Sequence, residues 1–223
     1  MDLEQTRFNM VEQQIRPWDV LDQEVLKLLF ELRREEFVPA AYRSLAFVDM
    51  EIPLGHGEVM LAPKLEARIL QELQVKKTDK ILEVGSGSGY LAALLAKKGE
   101  YVHSVEIVPE LKAMAEKNLQ AHDIDNVLVE NGDAARGWPS HAPYDVIVLT
   151  GSTPVLPEAF QKSLRPGGRL FAVVGDAPVM QAVLVNCLSQ EKEGIAGAYN
   201  AVVLFETCIT PLTNAQQPAR FTF

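Results

Sequence analysis

Apolar positions along the chain follow two periods in turn. Leu26, Leu29 and Phe30 recur at helical spacing, with Val25 and Leu32 flanking the stripe. Asp22 stands just before them, where a carboxylate accepts the free N–H groups of a first helical turn. Phe37-Val38-Pro39 predicts the end of this helix, because the residue before a proline avoids helical backbone. A run of turn formers follows, Ile52-Pro53-Leu54-Gly55-His56-Gly57. Pro63 then opens a second helix carrying Leu65, Ile69, Leu70 and Leu73.

From residue 80 the pattern becomes strand, helix, strand. Ile81–Val84, Tyr101–Glu106, Val127–Glu130, Tyr144–Leu149 and Arg169–Val174 are short apolar runs. Between them Tyr90–Lys98 carries Leu91, Leu94 and Leu95, and Pro109 opens a helix with Leu111, Met114, Ala115 and Leu119; a shorter helix spans Pro157–Leu164. Strands separated by helices of this length predict right-handed crossovers and a mainly parallel sheet. Two further β-rich stretches, around 180–188 and 200–208, predict an antiparallel hairpin at the sheet edge. The expected fold is therefore α/β: a doubly wound, Rossmann-like sheet with an N-terminal helical cap and a C-terminal edge hairpin. It is expected to be one domain, with cap and loop at 1–78, the α/β core at 79–175, and hairpin and tail at 176–223.

Composition narrows the partners. No apolar run approaches a membrane span, and the N-terminus lacks a basic stretch followed by an apolar one, so a cytoplasmic protein is expected. The formal net charge of −9 argues against nucleic acid, whose phosphates call for a basic face. Arg33-Arg34, Lys76-Lys77 and Lys97-Lys98 read as solvated surface pairs. Cys187 and Cys208 are too few for a metal cluster and read as buried thiols in β-like stretches. His103, His122 and His141 show no metal spacing, so no metal is expected. Trp18 and Trp138 read as packing residues.

The candidate chemistry sits where the first core strand runs into its helix, in Glu83-Val84-Gly85-Ser86-Gly87-Ser88-Gly89-Tyr90. Glycines there let the chain turn and a ligand approach the backbone. Glu106, followed by Ile107, ends the next strand about 20 residues on, the distance at which an acid reaches a ribose hydroxyl pair. A dinucleotide loop would read Gly-x-Gly-x-x-Gly, but here Tyr90 takes the place of the last glycine. Glu83 would repel a pyrophosphate and attract an ammonium group. The ligand expected is S-adenosylmethionine (SAM), with S-adenosylhomocysteine as its product. Asp133, closing the third strand, resembles the acid that hydrogen-bonds the adenine amino group in SAM-dependent methyltransferases, and Ala134 beside it is a further expected cofactor contact.

The strings Arg34-Glu35-Glu36-Phe37-Val38-Pro39, Tyr42-Arg43-Ser44-Leu45-Ala46-Phe47 and Ile52–Gly57 resemble the N-terminal part of protein-L-isoaspartate O-methyltransferases. Glu106-Ile107-Val108-Pro109-Glu110-Leu111, Gly137-Trp138-Pro139 and Ala142-Pro143-Tyr144-Asp145 continue the resemblance, which runs from about Met10 to Val174 and weakens afterwards. It implies a class I SAM-dependent methyltransferase acting on the side-chain carboxylate of isoaspartyl residues in damaged proteins or peptides, so that the ester collapses to a succinimide. The implied substrate loop holds His56, Gly57, Val59, Leu61 and Pro63, with His56 a candidate to orient the acceptor. The loop departs from the family pattern, which has a Thr-Ile-Ser segment. Val59 replaces the threonine, Leu61 the serine, and Glu58 adds a negative charge. The departure predicts weak transfer to isoaspartyl peptides. It keeps two other readings open: a SAM-dependent enzyme with another acceptor, and a SAM-binding protein without isoaspartyl activity.

Overall fold

The computed structural model describes residues 2–191 and 196–218. Helix α1 (Leu3–Met10), which the apolar pattern does not announce, is capped by Asp2, whose carboxylate accepts the N–H groups of Glu4 and Gln5. It buries Met10 in the core and Arg7, which pairs with Glu35. Helix α2 (Gln23–Glu31) is capped by Asp22 as expected. It ends sooner than Phe37, because Leu32 and Arg33 turn to extended backbone and send Arg34 inward. Its inward positions are Val25, Leu26, Leu28 and Leu29, whereas Phe30 is partly exposed against Phe8.

The run of turn formers is more than a turn. It builds a two-stranded antiparallel ribbon, β1 (Ile52–Gly55) and β2 (Glu58–Met60). Gly55, His56 and Gly57 all take positive φ at its tip. Glycine does so without the Cβ penalty, and His56 makes the same left-handed excursion between them. Helix α3 (Pro63–Leu73) follows, with Pro63 in its first turn.

The main sheet has seven strands in the order β5-β4-β3-β6-β7-β8-β9. These are β3 (Lys80–Val84), β4 (Tyr101–Glu106), β5 (Val127–Asn131), β6 (Tyr144–Leu149), β7 (Leu164–Asp176), β8 (Val179–Ser189) and β9 (Ala198–Thr207). β3 to β7 pair in parallel; β8 and β9 add antiparallel, as the hairpin reading expects. The parallel strands at the centre are buried on both faces, which is why they read as continuous apolar runs. Helices α4 (Tyr90–Lys98), α5 (Pro109–Ala121) and α6 (Glu158–Lys162) complete the layers.

The strand order reverses direction at β3. The chain runs outward through β4 and β5, then returns to place β6 on the other side of β3. A crevice opens at the carboxyl ends of strands at such a reversal, and there the glycine loop lies.

Two surface readings change. Arg34 is buried, not solvated, whereas Lys76-Lys77 and Lys97 do face solvent. Cys187 is buried as expected, but Cys208 lies just past β9 and is exposed.

Candidate cofactor and acceptor site

A cavity opens at the carboxyl ends of β3, β4 and β6. One end is built by the loop after β3. Gly85 has φ +96°, and a Cβ there would fall 2.2 Å from Thr150 Oγ1. That threonine hydroxyl donates to the carbonyls of Val84 and Gly85 (2.8 and 2.9 Å), fastening the loop to the end of β6. Gly87 has φ +52° and a nearest Cβ contact of 3.0 Å, to Leu54 of the ribbon. The loop is therefore held in a backbone shape that side chains oppose.

Glu83 is fully buried beneath this loop. Its Oε2 accepts from Ser104 Oγ, which lies 2.5 Å from Ser86 Oγ. Its Oε1 has no partner among the described residues, although the side chain borders the cavity. Burial pushes this carboxyl up to about 8; the Ser104 hydrogen bond opposes the shift, and Glu106 and Glu66 add to it. A buried acceptor without a donor is an unfavourable arrangement unless a cation or N–H group arrives from the cavity. The amino group of SAM supplies one, so the residues present fit the ligand expected from the sequence.

Glu106 also borders the cavity, but its oxygens already work within the chain. Oε2 accepts the Gly87 N–H (2.8 Å) and Oε1 the Val108 N–H (3.0 Å). A carboxylate has about four acceptor sites, so both ribose hydroxyls remain within its capacity. Asp133 accepts the Ala135 N–H (3.0 Å) and the Asn214 side-chain amide (2.9 Å).

The structure brings most of the expected cofactor residues to one wall: Glu83, Gly85, Ser86, Gly87, Ser88, Tyr90, Glu106, Ile107, Asp133 and Ala134. Gly89 is not among them. It caps α4 with φ +82°, where a Cβ would meet the backbone of Ala115 at 3.1 Å, so its requirement is helix packing.

The other end of the cavity is where the sequence reading needs correction. Val59 and Leu61 line it together with Glu58, but His56 and Gly57 sit at the exposed ribbon tip and Pro63 is buried in the first turn of α3. His56 therefore shapes the turn and does not reach the cavity wall. Beside Glu58 and Val59 the cavity is bordered by Thr210 to Thr213, at the end of the C-terminal stretch 207–212, which keeps only the end of the family's Val-Arg-Phe-Val-Pro-Leu pattern. This segment is tied down by Ser152, whose N–H donates to Thr210 O (3.0 Å) and whose carbonyl accepts from Leu212 N (2.9 Å). Thr213 Oγ1 donates to Glu58 Oε1 at 3.3 Å. Thr210 and Thr213 thus border the cavity beside Glu58. The partners of this segment, Ser152 and Glu58, lie far from it in sequence, so its place on the cavity is not readable locally.

Arg34 braces this end from behind. Its guanidinium pairs with Glu66, donates to Ala46 O (2.9 Å) and Leu61 O (2.6 Å), and lies 5.3 Å from the Tyr90 ring centroid. Arg34, Glu66 and Tyr90 are all buried, and Glu66 and Tyr90 also border the cavity. Burial raises the Glu66 carboxyl while Arg34 pulls it down. One side chain therefore fixes the backbone of the position where the family pattern has its serine.

A doubly wound sheet, a cavity at its topological reversal, and an acid-lined glycine loop without dinucleotide spacing define a SAM-dependent methyltransferase. Comparison with known proteins narrows the class. Residues 5–213 match the family model "Protein-L-isoaspartate(D-aspartate) O-methyltransferase", and the match continues well beyond Val174. A protein-L-isoaspartate O-methyltransferase of Gloeobacter violaceus is 40% identical over 74% of this chain and 81% of its own length. One from Methanoculleus marisnigri is 35% identical over 92% and 90%. Among solved structures, a protein-L-isoaspartate O-methyltransferase superposes with a TM-score of 0.74 at 26% identity, covering 95% of this chain and 66% of its own. A Plasmodium falciparum structure in complex with S-adenosylhomocysteine has the same fold, with a TM-score of 0.77 at 20% identity over 96% and 99%. The chain belongs to the protein-L-isoaspartate(D-aspartate) O-methyltransferase family.

Proposed function

We propose that this chain transfers the methyl group of SAM to the side-chain carboxylate of isoaspartyl residues in damaged proteins, at a rate held down by its apolar substrate loop. The observation that carries the reading is the cavity itself. Its loop end offers the unpaired Oε1 of Glu83, and its other end opens between Val59 and the threonines Thr210 and Thr213. Glu83, the loop Gly85–Ser88, Glu106, Ile107, Asp133 and Ala134 would hold the cofactor, which supplies an electrophilic sulfonium methyl when bound.

The chain's own work is then modest. An acceptor carboxylate is ionised near neutral pH, so no general base is needed. The walls align the reactants and exclude water. Thr210 and Thr213 present hydroxyl donors for an acceptor oxygen, in place of the two that Val59 and Leu61 do not provide. Glu58 opposes an anionic acceptor, and its hydrogen bond with Thr213 engages one of those hydroxyls. A single domain divides the labour: 1–78 supplies loop and brace, 79–175 the cofactor wall, and 176–223 the facing segment. A protein acceptor suits a chain of net charge −9 better than nucleic acid does. Among the described residues no helix is long and apolar enough to cross a membrane, and both cysteines are free; the cytoplasm is the compartment we assign.

The test is transfer of tritiated methyl from SAM to an isoaspartyl peptide, beside the same peptide with normal aspartate. Slow, base-labile labelling of the isoaspartyl peptide alone is expected. Binding of SAM with no labelling of either peptide would overturn the acceptor assignment and leave the cofactor assignment standing.

A further inference from the structure

Away from the cavity, three side chains converge that the sequence holds far apart. His103 comes from β4 and Glu130 from the neighbouring β5, both on the sheet face covered by residues 135–143. His141 ends the short 3-10 turn Pro139–His141 over that face. Glu130 Oε2 lies 3.9 Å from His103 Nδ1 and 3.0 Å from His141 Nε2, and the three atoms fall within 4.8 Å of one another. Each is buried and has no hydrogen-bond partner among the described residues. His103 itself is only 8% exposed. Three buried polar atoms gathered in one place, none with a well-aligned hydrogen bond among the described residues, form a group that a shared ion can complete.

We propose that His103, Glu130 and His141 bind a divalent transition-metal ion of the zinc type. Two imidazoles and a carboxylate are a borderline donor set that suits zinc and its neighbours better than magnesium or calcium, which prefer oxygen alone. In a tetrahedral site with bonds of about 2.0–2.1 Å, ligand atoms stand roughly 3.3 Å apart, and the two separations to Glu130 bracket that value. Three protein ligands leave the fourth position to water. The two histidine rings are stacked, with centroids 4.0 Å apart and planes 13° from parallel. Parallel rings cannot both aim lone pairs at one ion. His141, a third exposed on its short turn, is the ring that rotates to bind. Burial, with smaller contributions from His141 and Lys80, holds the His103 imidazole neutral, down to about 4 against the pull of Glu130. Lys80 is the cation facing the group, and its ammonium is engaged by the His141 carbonyl at 2.6 Å.

Such an ion would tie β4 and β5 to the segment carrying Trp138. That ring packs so closely on Gly132 that a Cβ there would fall 2.5 Å from it, and Gly132–Ala134 form part of the cavity wall. The ion's role is thus to stiffen one side of the cofactor site, outside the reaction itself.

The experiment uses the full chain, freed of any affinity tag and stripped with a chelator, then titrated calorimetrically with zinc. One saturable equivalent is expected, with a rise in Tm. Binding should weaken at least about tenfold in Glu130→Gln and in His141→Ala, both of which should still bind SAM. Cobalt added to the native chain should give the intense visible absorption of a four-coordinate ion. Absence of saturable zinc binding, unchanged affinity in both variants, or a weak six-coordinate cobalt spectrum would each overturn the proposal.

Discussion

The two ends of the cavity are made differently. The cofactor end is backbone: a glycine loop in left-handed conformations between β3 and α4, fastened by Glu106 from the end of β4 and Thr150 from just past β6. The acceptor end is assembled from pieces remote in sequence, a ribbon at 52–60 and a segment at 210–213, with Arg34 behind them. A site built from local backbone leaves a recognisable string in the sequence. One built from distant side chains tolerates exchange, because on the reading proposed above a hydroxyl lost on one wall is supplied by another segment. That contrast explains how the loop can depart from its family pattern at Val59 and Leu61 while the glycine run stays intact.

The largest effect that would break the contrast concerns the brace. Arg34→Met leaves Glu66 buried without its cation, and removing one partner of a buried pair costs about 3–5 kcal/mol. Urea denaturation should show that loss; a variant as stable as the native chain would mean that the acceptor end does not depend on Arg34. Next in size is Gly85→Ala. Its Cβ would displace the Thr150 hydroxyl, and φ +96° strains any side chain by about 1–3 kcal/mol. SAM affinity by calorimetry is expected to fall by roughly 10- to 100-fold, with the far-ultraviolet circular dichroism retained.

Proton linkage gives a smaller effect at the same end. Glu83 is raised to about 8, above the usual carboxylate range, so in the unliganded chain it holds a proton that the unfolded chain has already lost. This contribution to stability therefore falls as pH rises from the ordinary carboxylate value to about 8. An ammonium ligand favours the ionised form. SAM affinity should be highest above pH 8 and weaken below it by up to about tenfold per pH unit, with one proton released on binding. Calorimetry in buffers of different ionisation enthalpy measures that proton, and equal heats would remove Glu83 from the ammonium site. The smallest effect sharpens the acceptor end. Val59→Thr should raise transfer to an isoaspartyl peptide about tenfold, since a hydrogen bond to a charged group contributes about 1.5–3 kcal/mol. SAM affinity should stay unchanged. Leu61→Ser is the poorer probe, because Leu61 is 6% exposed and also packs in the core, so its loss opens a cavity.

Much of this architecture is legible in the sequence, and what escapes has physical reasons. Tyr101–Glu106 and Tyr144–Leu149 show strand bounds equal to those read from their apolar runs, because central parallel strands bury both faces. The ribbon escapes because strands of four and three residues are too short to display alternation. Arg34 looks like half of a surface pair; only the fold shows that Glu66 waits for it inside. The cofactor wall could be listed residue by residue from one motif and two strand ends. Thr150 and Thr213 could not, since a lone threonine carries no signal until the chain is folded around it; Thr210 is visible only as part of a C-terminal stretch that keeps the end of the family pattern. His103, Glu130 and His141 meet only because β4 and β5 are neighbours and the segment after β5 folds back over them.

The position of Thr210–Thr213 on the cavity wall has a consequence for synthesis. A ribosome delivers the glycine loop, Glu106 and Asp133 long before that segment, so a nascent chain that already holds every cofactor contact still has an open-sided cleft. Ligand can stabilise the folded form only in proportion to its affinity for the completed site. Whatever affinity the wall at 210–213 adds is therefore the measure of how far the cofactor favours chains that have docked their last strand and the stretch beyond it over those arrested before.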